Sequence, residues 1–123
     1  MQLGWLDVCI RVRSVEVSRR FYEGLGFVRV EGGDELRWTV LSNGEARIGL
    51  FAKEFMGEDA FSLNFRGGNI ARIAQELEEK GIQPAVKPVF VGTNGGSIRL
   101  RDPDDNLVFI DSEPDETKAE AIR

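Results

Sequence analysis

The sequence predicts an α+β fold in which one βαβββ unit occurs twice along 123 residues. A strand-like segment leads into a helix-like segment near residue 7, and the same order returns near residue 60. Each helix-like segment ends at glycine, and short strand-like segments separated by glycine-rich turns follow it. We therefore predict one domain over residues 1–112, with half-repeats at about 3–52 and 60–112 and an acidic polar tail over 113–123.

The first strand and helix follow from side-chain periodicity. Apolar residues at positions 6, 8, 10 and 12 alternate with a second set of side chains, the period-two pattern of a strand with two different faces. Ser14 is placed as an N-cap for a helix over residues 15–24, which Gly24 or Gly26 ends. Strands over 27–31, 36–41 and 45–52 complete the first repeat. Their turns carry Gly32-Gly33-Asp34 and Ser42-Asn43-Gly44.

The second repeat has the same order. A strand over residues 60–66 precedes a helix that follows Asn69, with an apolar stripe formed by Ile70, Ile73, Ala74 and Leu77. Gly81 is expected to end this helix. Strands over 85–89, 97–101 and 107–111 follow. One four-stranded unit with one helix would leave its other sheet face wet, so we expect the paired units to curl around a cleft.

Composition restricts the possible chemistry. The chain has no histidine and one cysteine, which excludes imidazole ligands, His-activated nucleophiles, an internal disulfide and multi-cysteine metal sites. A net charge of −5 argues against nucleic-acid binding, and it fits either a cationic ligand or an ordinary solubility charge. No transmembrane stretch or secretory signal is evident, so we expect a cytoplasmic protein that does not contact a membrane.

The repeat and its closing turn point to a family. The turn Arg101-Asp-Pro-Asp-Asp-Asn106 leads into the last strand of the second repeat. With the repeat over residues 3–112, it resembles the vicinal oxygen chelate superfamily of glyoxalases, bleomycin-resistance proteins and extradiol dioxygenases. The resemblance implies a mixed sheet curled around a cleft, and a homodimer in which the halves pair within one chain or by exchange.

The resemblance also implies where a metal would be held. Family enzymes place a His or Glu ligand on the first and last strands of each repeat, and the matching positions here are Asp7, Gly49, Ala60 and Phe109. Only Asp7 can ligate, so we expect no metal and no cofactor. This argues against glyoxalase I, extradiol dioxygenase and fosfomycin-modifying activities. It makes the chain closest in character to the bleomycin-resistance branch, whose members bind a drug without reacting with it.

Strand alternation then predicts the lining of the cleft. The predicted ligand-binding residues are Trp5, Asp7, Cys9, Trp38, Arg47, Phe51, Ser62, Asn64, Arg99 and Phe109. Aromatic walls with a few polar groups are typical of small-molecule sites. We therefore expect a metal-free binding protein that sequesters an aromatic or planar ligand.

Several alternatives stay open at this stage. Trp5 and Phe109 could be core residues, Asp7 a solvated carboxylate, and Cys9 a small buried hydrophobe. Two arginines in the cleft would favour an anionic ligand, whereas the net charge fits a cationic one. A metal-independent lyase or isomerase could use Asp7 as its general base. A structural or regulatory dimer with a vestigial pocket is a third hypothesis.

Overall fold

The computed structural model describes residues 1–114, so most of the predicted polar tail lies outside the described residues. The first repeat contains β1 (Gly4–Arg11), α1 (Val15–Gly24), β2 (Val28–Gly33), β3 (Trp38–Asn43) and β4 (Ala46–Phe51). A short helix, α2 (Lys53–Met56), comes next. The second repeat contains β5 (Phe61–Gly67), α3 (Ile70–Glu79), β6 (Val89–Val91), β7 (Gly95–Arg101) and β8 (Leu107–Ser112). None of the helices in residues 1–114 is long and apolar enough to cross a membrane.

The chain forms two compact units. The first unit is Asp7–Ser62, and the second is Met1–Leu6 together with the chain from Leu63 onward. The strands of the first unit lie in the order β2-β3-β4-β1, with β1 parallel to β4 and the other pairs antiparallel. Those of the second unit lie in the order β6-β7-β8-β5. The predicted α+β class is confirmed, and the strand order is the same in both units.

Both long helices begin with a side-chain cap. The Ser14 hydroxyl accepts a hydrogen bond from the Val17 N–H at 3.2 Å, and the Asn69 side-chain oxygen accepts one from the Arg72 N–H at 3.1 Å. Each cap satisfies one of the backbone donors that a helix leaves unpaired at its start. Gly81 follows α3 with a φ of 75°, a conformation that glycine adopts without steric cost.

Each sheet has one face covered by its helix. In the second unit α3 packs Ile70, Ile73 and Leu77 against a core that includes Ile98 and Ile110. In the first unit α1 packs on β3 and β4, where Leu41 and Leu50 have no exposed surface. We call the opposite face of each sheet the helix-free face. It carries the alternate residues of every strand.

The structure corrects two predicted strands. The strand expected over residues 85–89 is β6, Val89–Val91, because Pro84 and Pro88 remove two backbone donors from the segment before it. Ala85 donates a single hydrogen bond to the Arg99 carbonyl at 2.7 Å. The strand expected over 36–41 begins only at Trp38, because a 3₁₀ turn occupies Asp34–Leu36.

Candidate functional site

The helix-free face of the first unit gathers half of the predicted site residues. The strand register sets Cys9 beside Gly49 and Gly49 beside Val40. It sets Arg11 beside Phe51 and Phe51 beside Trp38. Residues paired in this way point to the same side of a sheet, and their neighbours two positions along the strands do so too. The predicted residues on this face are Asp7, Cys9, Trp38, Arg47 and Phe51.

A buried ion pair occupies one end of this face. The Nε atom of Arg47 donates to Oδ1 of Asp7 at 2.5 Å, and Nη2 lies 3.4 Å from both Oδ2 of Asp7 and Oε2 of Glu31. Asp7 is only 2% exposed. The hydrogen bond to Asp7 is the largest cause that raises the pKa of Arg47 above its ordinary value. The cluster therefore gives a buried carboxylate a cationic partner.

An aromatic stack covers the middle of the same face. The rings of Trp38 and Phe51 lie parallel, with centroids 5.7 Å apart and an interplanar angle of 7°, and Phe55 meets Phe51 edge-on at 6.0 Å. Phe51 also lies over Gly49: a Cβ atom there would be 2.6 Å from Cε1 of Phe51 and 3.0 Å from the Cys9 sulfur. The face is packed closely enough that position 49 admits no side chain without movement.

The helix-free face of the second unit is built differently. Arg99 pairs with Phe109 across β7 and β8, and its guanidinium carbon lies 4.9 Å from the centre of the Phe109 ring. The Asn64 amide donates to the Phe109 carbonyl and to Oδ1 of Asp111, each at 3.0 Å. A cation held over a ring is stabilised by the ring's quadrupole. This face therefore presents a positioned guanidinium.

The remaining predicted residues join neither group by a described contact. Trp5 is half-buried on the part of β1 that belongs to the second unit. Ser62 is buried on β5 and belongs to the first unit. Strand alternation did not predict Glu31 as a site residue, although its carboxylate contacts Arg47. A bulge between Arg29 and Glu31 shifts the register of β2, and alternation alone gives no signal of a bulge.

Comparison with protein families places the chain. The family model described as "Glyoxalase/Bleomycin resistance protein/Dioxygenase superfamily" matches residues 3–110. The chain belongs to this superfamily. No match was found among curated proteins. The resemblance inferred from the repeat and the closing turn is confirmed at the level of the family.

Solved structures of the same fold share little sequence with this superfamily member. A protein titled NAD-dependent benzaldehyde dehydrogenase from Legionella pneumophila is 20% identical, with a TM-score of 0.71 over 87% of this chain and 97% of the other. A superfamily member from Vibrio splendidus 12B01 is 16% identical, with a TM-score of 0.62 over 88% and 97%. An extradiol ring-cleaving dioxygenase from B. fuscum is 20% identical, with a TM-score of 0.58, and the match covers 92% of this chain but 35% of that one. These similarities support the fold.

The four positions that the resemblance matches to metal ligands do not carry side chains that fit a metal. Asp7 already receives the Arg47 guanidinium, Gly49 lies beneath Phe51, and the other two matched positions are Ala60 and Phe109. Among residues 1–114, no three His, Cys, Asp or Glu side chains come together as a candidate metal group. Asp7 instead binds the Arg47 cation, and that cation also contacts the Glu31 carboxylate.

The same contacts bear on Asp7 as a general base. Both of its carboxylate oxygens accept hydrogen bonds from Arg47. A carboxylate that takes a proton from a substrate needs an oxygen within hydrogen-bond reach of that proton. These contacts hold the Asp7 carboxylate in place, and its use as the general base of a lyase or isomerase stays a prediction.

Proposed function

We propose that this superfamily member binds a small planar or aromatic molecule without a metal ion and without catalysis. The proposal is based on the different partners of Arg47 and Arg99. Arg47 is shared by two carboxylates, whereas Arg99 contacts a ring and has no ion-pair partner among residues 1–114. A positioned guanidinium without a carboxylate is available to a ligand.

The availability of Arg99 decides which ligand charge we propose. A guanidinium binds a carboxylate through two parallel N–H···O hydrogen bonds, and the Phe109 ring lies 4.9 Å from the guanidinium carbon of Arg99. The half-buried Phe109 ring beside Arg99 supplies apolar surface for a flat molecule. We therefore propose an anionic planar ligand, an aromatic carboxylate in its simplest form. Sequestration would then follow from mass action alone.

The test is a calorimetric titration of EDTA-treated protein with benzoate and, separately, with metal-free bleomycin. We expect benzoate to bind about one per chain, with a Kd of about 1 mM for so small a ligand. Arg99→Met should weaken it about tenfold or more because a charge-assisted pair is lost. Arg13→Met is the matched control, since Arg13 is an exposed arginine of the other unit.

Three results would contradict the proposal. Binding of benzoate that appears only after a divalent metal is added back would show that the site needs a metal. A flat titration with both probes would remove the ligand-binding function. Saturable binding of bleomycin without benzoate would overturn the proposed charge of the ligand.

We also propose that the chain forms a homodimer, as expected from the family. Light scattering should give a mass twice the 13.7 kDa of one chain. A mass of one chain across a tenfold dilution series would rule it out.

A further inference from the structure

A groove lies on the second unit, on the side of the sheet that α3 covers. It runs between one flank of α3 and the segment from Gly81 to Phe90, and its volume is about 440 Å³. Residues an odd number of positions apart on one strand point to opposite sides of the sheet. Gly96 and Arg99 are three positions apart on β7, so Phe90, which pairs with Gly96, lies on the side opposite Arg99 and Phe109. The groove is therefore separate from the helix-free face on which the proposed function rests.

The floor of the groove is apolar and uncovered. Ile82 and Phe90 line it and are 43% and 56% exposed. Pro84 and Pro88 line it as well, and each ring fixes its own backbone angle. The Ala85 hydrogen bond to the Arg99 carbonyl ties the middle of the segment to β7. A volume of this size with a fixed apolar floor suits a small molecule, and rigidity reduces the entropy lost on binding.

Two opposite charges also line the groove. Glu78 lies in the last turn of α3, where the helix dipole adds partial negative charge, and Lys87 lies on the facing segment. Neither side chain has an ion-pair partner among residues 1–114. A ligand with a single charge would satisfy one of these groups and repel the other. A ligand with both charges, joined to an apolar side chain, would satisfy both groups and cover the floor.

We propose that this groove binds an α-amino acid with a large apolar side chain. The ammonium group lies at Glu78 and the C-terminal end of α3, the carboxylate lies at Lys87, and the side chain covers Ile82 and Phe90. The ammonium, the carboxylate and the side chain of the ligand are then each bound by a different part of the groove. The proposal does not depend on the proposed function, because the two sites lie on opposite sides of one sheet.

The experiment is a nitrogen–proton NMR titration of the full chain with L-phenylalanine. We expect saturable shifts of the amide signals of the non-proline residues in 81–91, with a Kd of about 1 mM. Phenethylamine lacks the carboxylate and 3-phenylpropionate lacks the ammonium, so each should bind about tenfold more weakly. Glu78→Gln and Lys87→Met should each weaken L-phenylalanine about tenfold. Lys80→Met is the control, because Lys80 is an exposed lysine beside the groove that does not line it.

Three outcomes would overturn the proposal. Equal binding of the three probes would show that Glu78 and Lys87 do not bind the charged groups of the ligand. Shifts of residues 81–91 that depend on protein concentration and not on L-phenylalanine would show that a second copy covers the groove. The absence of saturation would show that there is no site. Arg99→Met should leave the titration unchanged, which separates this site from the benzoate site.

Discussion

The helix-free faces of the two units share a strand order and differ in how their charges are satisfied. In the first unit Arg47 binds both Asp7 and Glu31, and Phe51, stacked on Trp38, covers Gly49. In the second unit Arg99 rests on Phe109 and remains exposed. The repeated scaffold fixes which positions share a face. The residues at those positions then decide whether the face is closed by its own contacts or left open to a ligand.

The largest expected effect separates the two arginines. Arg47→Met should lower the free energy of unfolding by about 3–5 kcal/mol, because it leaves the carboxylate of Asp7 buried without a cation. Arg99→Met should change it by less than about 1 kcal/mol, since it removes one exposed cation–π contact. Urea unfolding followed by circular dichroism measures both. Similar losses for the two variants would contradict the comparison.

A double variant sharpens this result. Asp7→Leu combined with Arg47→Met removes both buried charges, so most of the stability lost in Arg47→Met should return. A double variant no more stable than Arg47→Met would show that packing of the arginine stem carries the effect.

The next effect concerns Gly49. Gly49→Ala should cost about 1–3 kcal/mol, because the new methyl group meets the Phe51 ring and the Cys9 sulfur. In a Phe51→Ala background the same change should cost about half as much, since the closer of the two contacts is gone. Thermal unfolding of the four proteins gives the coupling. Equal costs in the two backgrounds would show that the ring moves aside freely.

A smaller effect tests a feature that the two units share, the side-chain cap at the start of each long helix. Ser14→Ala and Asn69→Ala should each cost about 1 kcal/mol, because each removes one acceptor for a helix-end N–H group. Chemical unfolding of both variants beside the parent measures the losses. A loss at one cap only would mean that the two helices do not begin in equivalent ways.

The smallest effect is a pH dependence that has a different cause in each unit. The hydrogen bond from Arg19 lowers the pKa of Asp34 below its usual 3.8. Hydrogen bonds from the Asn106 side chain and backbone lower the pKa of Asp102. Each contribution to stability is present above the ordinary carboxyl pKa and is lost as the pH falls through the lowered one. The stability deficits of Asp34→Asn and Asp102→Asn should therefore disappear towards pH 2.

Salt distinguishes these two carboxylates. Because its partner is charged, the Asp34→Asn deficit should shrink in about 1 M salt, where charges are screened within about 3 Å. The Asp102→Asn deficit should not, because its first partner is a neutral amide. Urea unfolding at pH 3 and pH 6, with and without salt, gives the comparison. A salt-insensitive Asp34 deficit would contradict the assigned cause.

Much of this organisation could be predicted from the chain because it depends on local periodicity. Ser14 and the alternation along β1 are local signals, and the structure bears them out. The partner of Asp7 could not be predicted in the same way. Arg47 reaches Asp7 through strand pairing, and Glu31 reaches Arg47 after a bulge in β2; both depend on contacts far apart in sequence. Within residues 1–114 Arg99 has no such ion-pair partner, and no local signal in the sequence predicts this either.

The glycine beneath Phe51 also limits how this chain could change over generations. A carboxylate or imidazole at position 49 begins with a Cβ atom, and that atom collides while Phe51 is present. Replacing Phe51 first gives up its stack with Trp38 before any ligand is gained. A descendant that acquires a metal ligand at position 49 by single substitutions would thus pass through a less stable intermediate.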